Sequence, residues 1–93
     1  MTPLRFSPDA ADTFRRIRDD HTRKDLLDVL RHALDTLAAD PGCARARERS
    51  LPQIGGWAMT VRGRHDDWVV VWKRPQKDPG VVAVLYIGPD PAA

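Results

Sequence analysis

The chain has 93 residues, which is enough for one domain with one modest hydrophobic core. Apolar residues make up 42% and charged residues 30%, a globular composition that excludes a disordered or collagen-like chain. The only cysteine, Cys43, excludes an internal disulfide, and the longest apolar run, Val81 to Ile87, is far shorter than the roughly 20 residues of a membrane-spanning helix. We expect a single domain over residues 1–93. The N-terminal residues contain no apolar signal region, so we expect the domain in the cytoplasm.

The first half of the chain predicts a helical hairpin. Leu4–Phe6 is typical of a short strand, and Ser7 followed by Pro8 is typical of a helix N-cap and first turn. Apolar residues at helical spacing continue to about residue 20. Thr22, with Asp25 three residues later, resembles a capping box, and a second helix is predicted from about Arg23 to Ala39. The short link between the two helices favours an antiparallel pair.

The second half predicts strands. Residues 43–55 show no periodicity and are predicted to form a loop of about a dozen residues, a length that is often functional. Polar turns then separate three predicted strands, at residues 57–62, 68–73 and 81–87. The predicted order is β-α-α-β-β-β. We expect an α+β fold in which the helical hairpin packs on an antiparallel sheet.

Two of the predicted strands, 68–73 and 81–87, are apolar on both faces. A pair of helices covers only one face of a sheet, so something else must cover the other. The chain itself, through the 43–55 loop and the C-terminal segment, is one possible cover. A second copy of the chain, giving a homodimer, or a peptide from another protein is the other.

The net charge of +2 is unevenly distributed along the chain. Residues 1–42 carry seven basic and eight acidic side chains, whereas residues 43–93 carry eight basic and five acidic ones. Arginine binds phosphate in a bidentate manner, so arginines of the second half are candidates for binding nucleic acid. The alternative is a solvated, solubilising loop. These candidates are Arg45, Arg47, Arg49, Arg62 and Arg64.

Other candidate residues each have a structural alternative. His65 stands beside Asp66 in a predicted turn, and an imidazole oriented by a carboxylate can transfer protons, although polar residues also simply make good turns. The three tryptophans could stack on bases, but their alternation along strands favours a core role. No spacing of histidine, cysteine and aspartate resembles a metal site. No glycine-rich loop matches a nucleotide fingerprint, so no metal or cofactor is expected.

The ordered set of motifs resembles the RelE/ParE toxin superfamily of bacterial type II toxin–antitoxin systems over essentially the whole chain. The resemblance implies an α+β toxin that inhibits translation by cutting mRNA at the ribosome, or inhibits DNA gyrase, and that an antitoxin protein neutralises. The matching segments are Phe6-Ser7-Pro8-Asp9-Ala10, Leu37-Ala38-Ala39-Asp40-Pro41, Arg49-Ser50-Leu51, Trp57 to Arg62, Trp68 to Trp72 and Val82 to Gly88.

The chain departs from the RNA-cutting members of this superfamily at the positions that carry their chemistry. Those members have basic residues on the first two meander strands and after the last strand, where this chain has Ala58, Thr60, Val69 and Pro89-Asp90. The gyrase-directed branch lacks those residues as well. If RNA cleavage survives, a rearranged site is predicted at Arg62, Arg64, His65, Lys73 and Arg74. The alternative is a non-enzymatic binding module that kept the fold.

Overall fold

The computed structural model describes residues 1–91, which form two helices packed on a single five-stranded sheet. The strands lie in the spatial order β1-β5-β4-β3-β2. The elements are β1 (Leu4–Phe6), α1 (Pro8–Asp19), a 3-10 turn (His21–Arg23), α2 (Lys24–Ala39), β2 (Arg49–Leu51), β3 (Gly56–Arg62), β4 (Asp67–Lys73) and β5 (Val82–Pro89).

The predicted α+β class and helical hairpin are confirmed, and two details of the sheet differ. Strand β2 lies in the segment predicted to be a loop, and it pairs antiparallel with Gly56–Ala58 of β3. Strand β1 pairs parallel with Val82–Val84 of β5, so the sheet is mixed rather than antiparallel. A strand of three residues with a basic first residue is too short to show an apolar alternation, which explains why the sequence pattern missed β2.

The helices begin at polar caps. Ser7 Oγ accepts a hydrogen bond from the Ala10 amide at 3.1 Å, as the sequence predicted for α1. At the second start the cap is Asp20 and not Thr22, because Asp20 Oδ1 accepts from the Thr22 amide at 2.9 Å and from its hydroxyl at 2.7 Å. These two bonds, the hydroxyl bond first, lower the pKa of the Asp20 carboxyl below its ordinary value of 3.8.

The core lies between the helices and one face of the sheet. Trp72 of β4 is fully buried there, and its indole Nε1 donates to the Ala46 carbonyl at 2.8 Å. Ala46 is itself fully buried, so the segment between α2 and β2 is part of the core. The other fully buried large side chains on this face come from α2 and three strands: Leu30, Leu37, Met59, Val61, Val70, Val82, Val84 and Ile87.

A β-bulge decides which residues of β5 face the helices. In the β4–β5 ladder, Val71 pairs with Tyr86 but the next residue, Trp72, pairs with Val84, so Leu85 is the extra residue. Side chains alternate along a regular strand, and only a bulge lets positions 84 and 87 point to the same face. Val84 and Ile87 are therefore both buried against the helices.

The backbone carbonyls at the bulge accept hydrogen bonds from the residue that precedes α1. The Ser7 hydroxyl donates to the carbonyl of Leu85 at 2.9 Å, and the Ser7 amide donates to the carbonyl of Val84 at 2.9 Å. One serine therefore caps α1 and binds the bulged residue. The consequence for the rest of the molecule is that large apolar residues of β5 are directed to the helix face.

Candidate functional site

The sheet face opposite the helices, which we call the open face, carries the positions that the resemblance assigns to the catalytic residues of RNA-cutting members. Two rows of residues in register cross it. Arg49, Ala58, Val71 and Tyr86 form one row, and the next row consists of Thr60, Val69 and Gly88. Ala58, Thr60 and Val69 are the positions at which the resemblance places the basic residues of RNA-cutting members. The fold thus brings those positions together on one surface.

An ion pair crosses the open face. Arg49 Nη2 of β2 lies 2.9 Å from Oδ2 of Asp90, the residue that follows β5. The pair joins β2 to the segment after β5, although β3 and β4 lie between these two strands in the sheet. The Asp90 side chain is only 9% exposed, and its backbone amide donates to the Asp67 carbonyl at 2.9 Å.

The chain itself covers the middle of the open face. Ala58 and Val69 are each 2% exposed although they lie on the face opposite the helices, so other parts of the described chain cover them. Tyr86 folds back over Gly88, where an added Cβ would come within van der Waals overlap of its phenol. Tyr86 as a whole remains 42% exposed, so part of this face is accessible to solvent.

The predicted arginine patch divides into separate intramolecular contacts. The Arg45 guanidinium donates to Glu48 at 2.7 Å and to the Thr60 carbonyl at 2.8 Å. The Arg47 guanidinium lies 4.3 Å from the centroid of the Trp57 ring, and its Nε donates to the Pro41 carbonyl at 3.1 Å. With Arg49 bound to Asp90, these alternating arginines point to different partners and do not form one phosphate-binding surface.

The residues of the predicted rearranged site lie at opposite ends of the β3–β4 hairpin. Arg62 ends β3 opposite Asp67, whereas Lys73 ends β4 opposite Gly56. Six residues of strand separate these ends, which corresponds to about 20 Å. These residues therefore do not converge on one substrate atom.

The rest of that predicted set is exposed. Arg64 pairs with Asp25 of α2 at 3.4 Å in the turn between β3 and β4, where His65 is also exposed. Beyond the far end of β4, Arg74 donates to the Pro79 carbonyl at 3.1 Å. An exposed histidine without a held partner is a weak candidate for general acid–base catalysis, which needs a positioned side chain.

The tryptophans serve the core. Trp72 and Trp68 are buried on the helix face, and Trp57 stacks on Trp72 with ring centroids 4.8 Å apart. Arg47 covers the outer side of Trp57. In this arrangement Trp68 and Trp72 present no free face to a nucleic-acid base.

Sequence reasoning missed the role of Asp90. Arg49 and Asp90 are 41 residues apart in the chain, and only the strand order and register bring them together. The one available signal was the acidic residue at a position where the resemblance led us to expect a basic one.

Within residues 1–91, no three histidine, cysteine or acidic side chains gather as ligands for a metal ion. No helix of that part of the chain is long and apolar enough to cross a membrane.

The helical hairpin, the mixed five-stranded sheet and the open face together define an α+β domain of the RelE/ParE type. A model of the family described as ParE toxin of type II toxin-antitoxin system, parDE, matches residues 4–90. The chain belongs to this ParE toxin family, which makes it a toxin component of a type II toxin–antitoxin system and implies an antitoxin partner. Searches of curated proteins and of solved structures gave no significant match.

Proposed function

We propose that this chain is a cytoplasmic toxin that inhibits DNA gyrase without cutting RNA, and that a cognate antitoxin neutralises it. The observation that carries the proposal is the open face, where Ala58, Thr60 and Val69 stand at the positions that resemblance assigns to catalytic cations. Family membership supports a toxin, and the composition of this face favours the gyrase-directed branch over the mRNA-cutting branch.

Cleavage of RNA by its 2′-hydroxyl needs a base, an acid and cations placed at the scissile phosphate. Alanine, threonine and valine supply none of these groups. Two of the three, Ala58 and Val69, are also almost completely buried. The two cations beside these positions are already paired, Arg45 with Glu48 and Arg49 with Asp90, and the Asp90 charge would repel a phosphate.

The test is controlled expression of the chain alone in a bacterial host. Growth, the rate of amino-acid incorporation and the supercoiling of a reporter plasmid are followed from the moment of induction. The purified chain is then added to purified gyrase in a supercoiling assay. We expect growth to stop with altered plasmid supercoiling, before translation falls, and we expect inhibition of supercoiling in the purified system.

His65→Ala provides a matched variant, because His65 is the residue best suited to acid–base chemistry in the rearranged site. General acid–base catalysis contributes about 10²–10⁴-fold, so an RNA-cutting toxin that used His65 would lose almost all activity. We expect His65→Ala to remain as toxic as the parent chain. Loss of toxicity in this variant, or a collapse of translation that precedes any change in supercoiling, would contradict the proposal.

Normal growth with abundant folded protein would also contradict it. That outcome would favour the second candidate, a binding module that kept the fold and lost toxicity.

A further inference from the structure

The Arg49–Asp90 pair differs from the other ion pairs of the described residues in its setting. The pairs Arg5–Asp78 and Arg64–Asp25 also join distant segments, but their side chains are about half exposed or more, at 3.5 Å and 3.4 Å. Arg49 and Asp90 are closer, at 2.9 Å, and the carboxylate is nearly buried. A charge-assisted hydrogen bond in such a setting is screened little by solvent.

Only one of two neighbouring donors of the Arg49 guanidinium has an acceptor among the described residues. Its Nη2 donates to Asp90, but its Nε is buried and donates to no acceptor within residues 1–91. Nε and Nη2 lie on the same side of a guanidinium and together suit the two oxygens of one carboxylate. Asp90 contacts Nη2 and not Nε, and its backbone amide donates to the Asp67 carbonyl.

The surroundings of this guanidinium indicate a peptide rather than a nucleic acid as the ligand. Leu51 and Val71 are half-buried on the same face, and the Tyr86 ring is exposed. A nucleic acid needs several cations along its backbone, whereas here Lys73 and Arg62 stand at the two ends of the face. A single cation among apolar side chains suits an acidic residue flanked by apolar ones.

We propose that Arg49 is the anchoring point for a carboxylate of an acidic–apolar segment of the antitoxin, and that Asp90 occupies this point in the free toxin. This inference rests on the proposed neutralisation by an antitoxin. The incoming carboxylate displaces Asp90 and binds Nε and Nη2 together, and its neighbouring apolar side chains cover Leu51, Val71 and Tyr86. No covalent bond changes in this exchange.

The test measures binding of a defined probe to the purified chain by NMR. The probe is the blocked tripeptide acetyl-Leu-Glu-Leu-amide, and acetyl-Leu-Gln-Leu-amide is its uncharged match. The Nε–H signal of Arg49 and the backbone amide signal of Asp90 are followed through the titration. We expect both signals to move at the same glutamate-peptide concentrations, and to stay in place with the glutamine peptide.

Asp90→Asn removes the carboxylate that competes with the peptide. A site that its competitor leaves free for only about a tenth of the time binds about ten times more weakly than a free one. We therefore expect Asp90→Asn to lower the half-saturating peptide concentration at least about tenfold. Asp78→Asn is the matched control. It removes one negative charge from another arginine pair, at an exposed position, and is expected to bind the peptide as the parent chain does.

Equal binding of both peptides, an unmoved Arg49 signal, or equal affinity of Asp90→Asn and the parent chain would each overturn the proposal. So would tighter binding of hexauridylate than of the glutamate peptide at Arg49, since that would assign the face to nucleic acid. If Asp90→Asn does not fold, the titration of the parent chain alone tests the proposal. The proposal then requires that the Arg49 Nε–H signal and the Asp90 amide signal move together. The titration measures peptide binding and does not require the chain to be toxic. Its failure can therefore be distinguished from failure of the gyrase proposal, which is tested by growth and supercoiling.

Discussion

At the scale of single residues, the arginines show why a charge pattern is a poor guide to a binding site. Arg45, Arg47 and Arg49 alternate along the chain, which suggested one basic surface. In the structure each guanidinium has an internal acceptor or an aromatic ring within reach. Arginine can pack its stem and stack its planar group while it keeps its charge, so alternation in sequence does not imply convergence in space.

Arg47 is expected to stabilise the fold through Trp57. Arg47→Ala loses the contact over the ring and the hydrogen bond to the Pro41 carbonyl, so we expect the free energy of unfolding to fall by about 1–2 kcal/mol. Urea denaturation measures this change. Arg47→Lys keeps the charge but not the planar stack and is expected to recover less than half of the loss.

Arg64→Ala serves as the control for Arg47→Ala, because Arg64 makes only an exposed ion pair, and we expect it to cost less than about 0.5 kcal/mol. An equal effect of the two substitutions would contradict a specific role for the stack on Trp57.

Asp20 gives the junction of the helices a dependence on pH. Its pKa is lowered in the folded chain by the bonds from Thr22, so its contribution to stability is present above the ordinary carboxyl pKa and is lost as the pH falls through the folded value. We expect Asp20→Ala to lower the melting temperature at pH 7. The difference from the parent chain should narrow as the pH falls below the ordinary value of 3.8 and through the lowered pKa of the folded chain, because the parent carboxyl is then protonated as well.

Asp19→Ala is the control for this pH series. The Asp19 carboxylate is next to Asp20 in the chain, but it pairs with Arg18 on the exposed surface and caps no helix. A melting difference for Asp20→Ala that stays constant from neutral pH through the acid range in which the parent carboxyl becomes protonated would contradict the cap.

At the scale of elements, much of the fold is predictable from local patterns, and the exceptions have a common cause. The Ser7 cap and apolar spacing predicted α1, and apolar spacing predicted α2 although its start is capped by Asp20 and not by Thr22. Alternation with polar turns predicted β3, β4 and β5. The strand β2 and the parallel pairing of β1 were missed, because both are three-residue strands defined only by their neighbours. The bulge at Leu85 was missed for the same reason, since a register shift is a property of two strands together.

The bulge also revises the prediction of an open face lined with large apolar residues. Val82, Val84 and Ile87 all face the helices, so β5 contributes Ala83, Tyr86 and Gly88 to the other side. The sequence could predict that this face needed a cover. It could not predict that Arg49 and Asp90 form an ion pair, because that pair depends on the order of four strands.

Ser7 is expected to act at two elements at once. Ser7→Ala removes the cap of α1 and the donor to the Leu85 carbonyl, and we expect it to cost about 1–3 kcal/mol of unfolding free energy. Ser7→Asp keeps a capping acceptor but cannot donate, so it should restore only the cap. Denaturant unfolding of both variants separates the two contributions.

Ser50→Ala is the control for the Ser7 series, since Ser50 is exposed on the short strand β2. Full recovery of stability in Ser7→Asp would contradict a role for the bulge bond.

At the scale of the whole molecule, the segment between α2 and β2 joins the two halves of the chain. Ala46 enters the core, and the buried bond from the Trp72 indole to its carbonyl holds it there. The sheet, the long connection and the helix face therefore share one core. The described residues have a radius of gyration of 12.5 Å, in line with about 13 Å for a 100-residue domain.

Trp72→Phe tests this connection. The variant keeps an aromatic ring but leaves the Ala46 carbonyl without its donor, and an unpaired buried group costs about 1–3 kcal/mol. We expect trypsin to cut first after Arg45 and Arg47 and several-fold faster than in the parent chain, as mass spectrometry of the first fragments would show. Trp68→Phe keeps the Ala46 bond and should not favour these sites. First cuts elsewhere in Trp72→Phe would contradict the role of this bond.

The stacked pair of Trp57 and Trp72 has an optical consequence. Two indoles with centroids 4.8 Å apart and planes inclined by 30° couple their electronic transitions. Such coupling gives a paired positive and negative band in circular dichroism that neither chromophore shows alone. One partner lies on β3 and the other on β4, so the signal exists only while the hairpin is in register. The chain thus carries an intrinsic reporter of its native state that needs no added label.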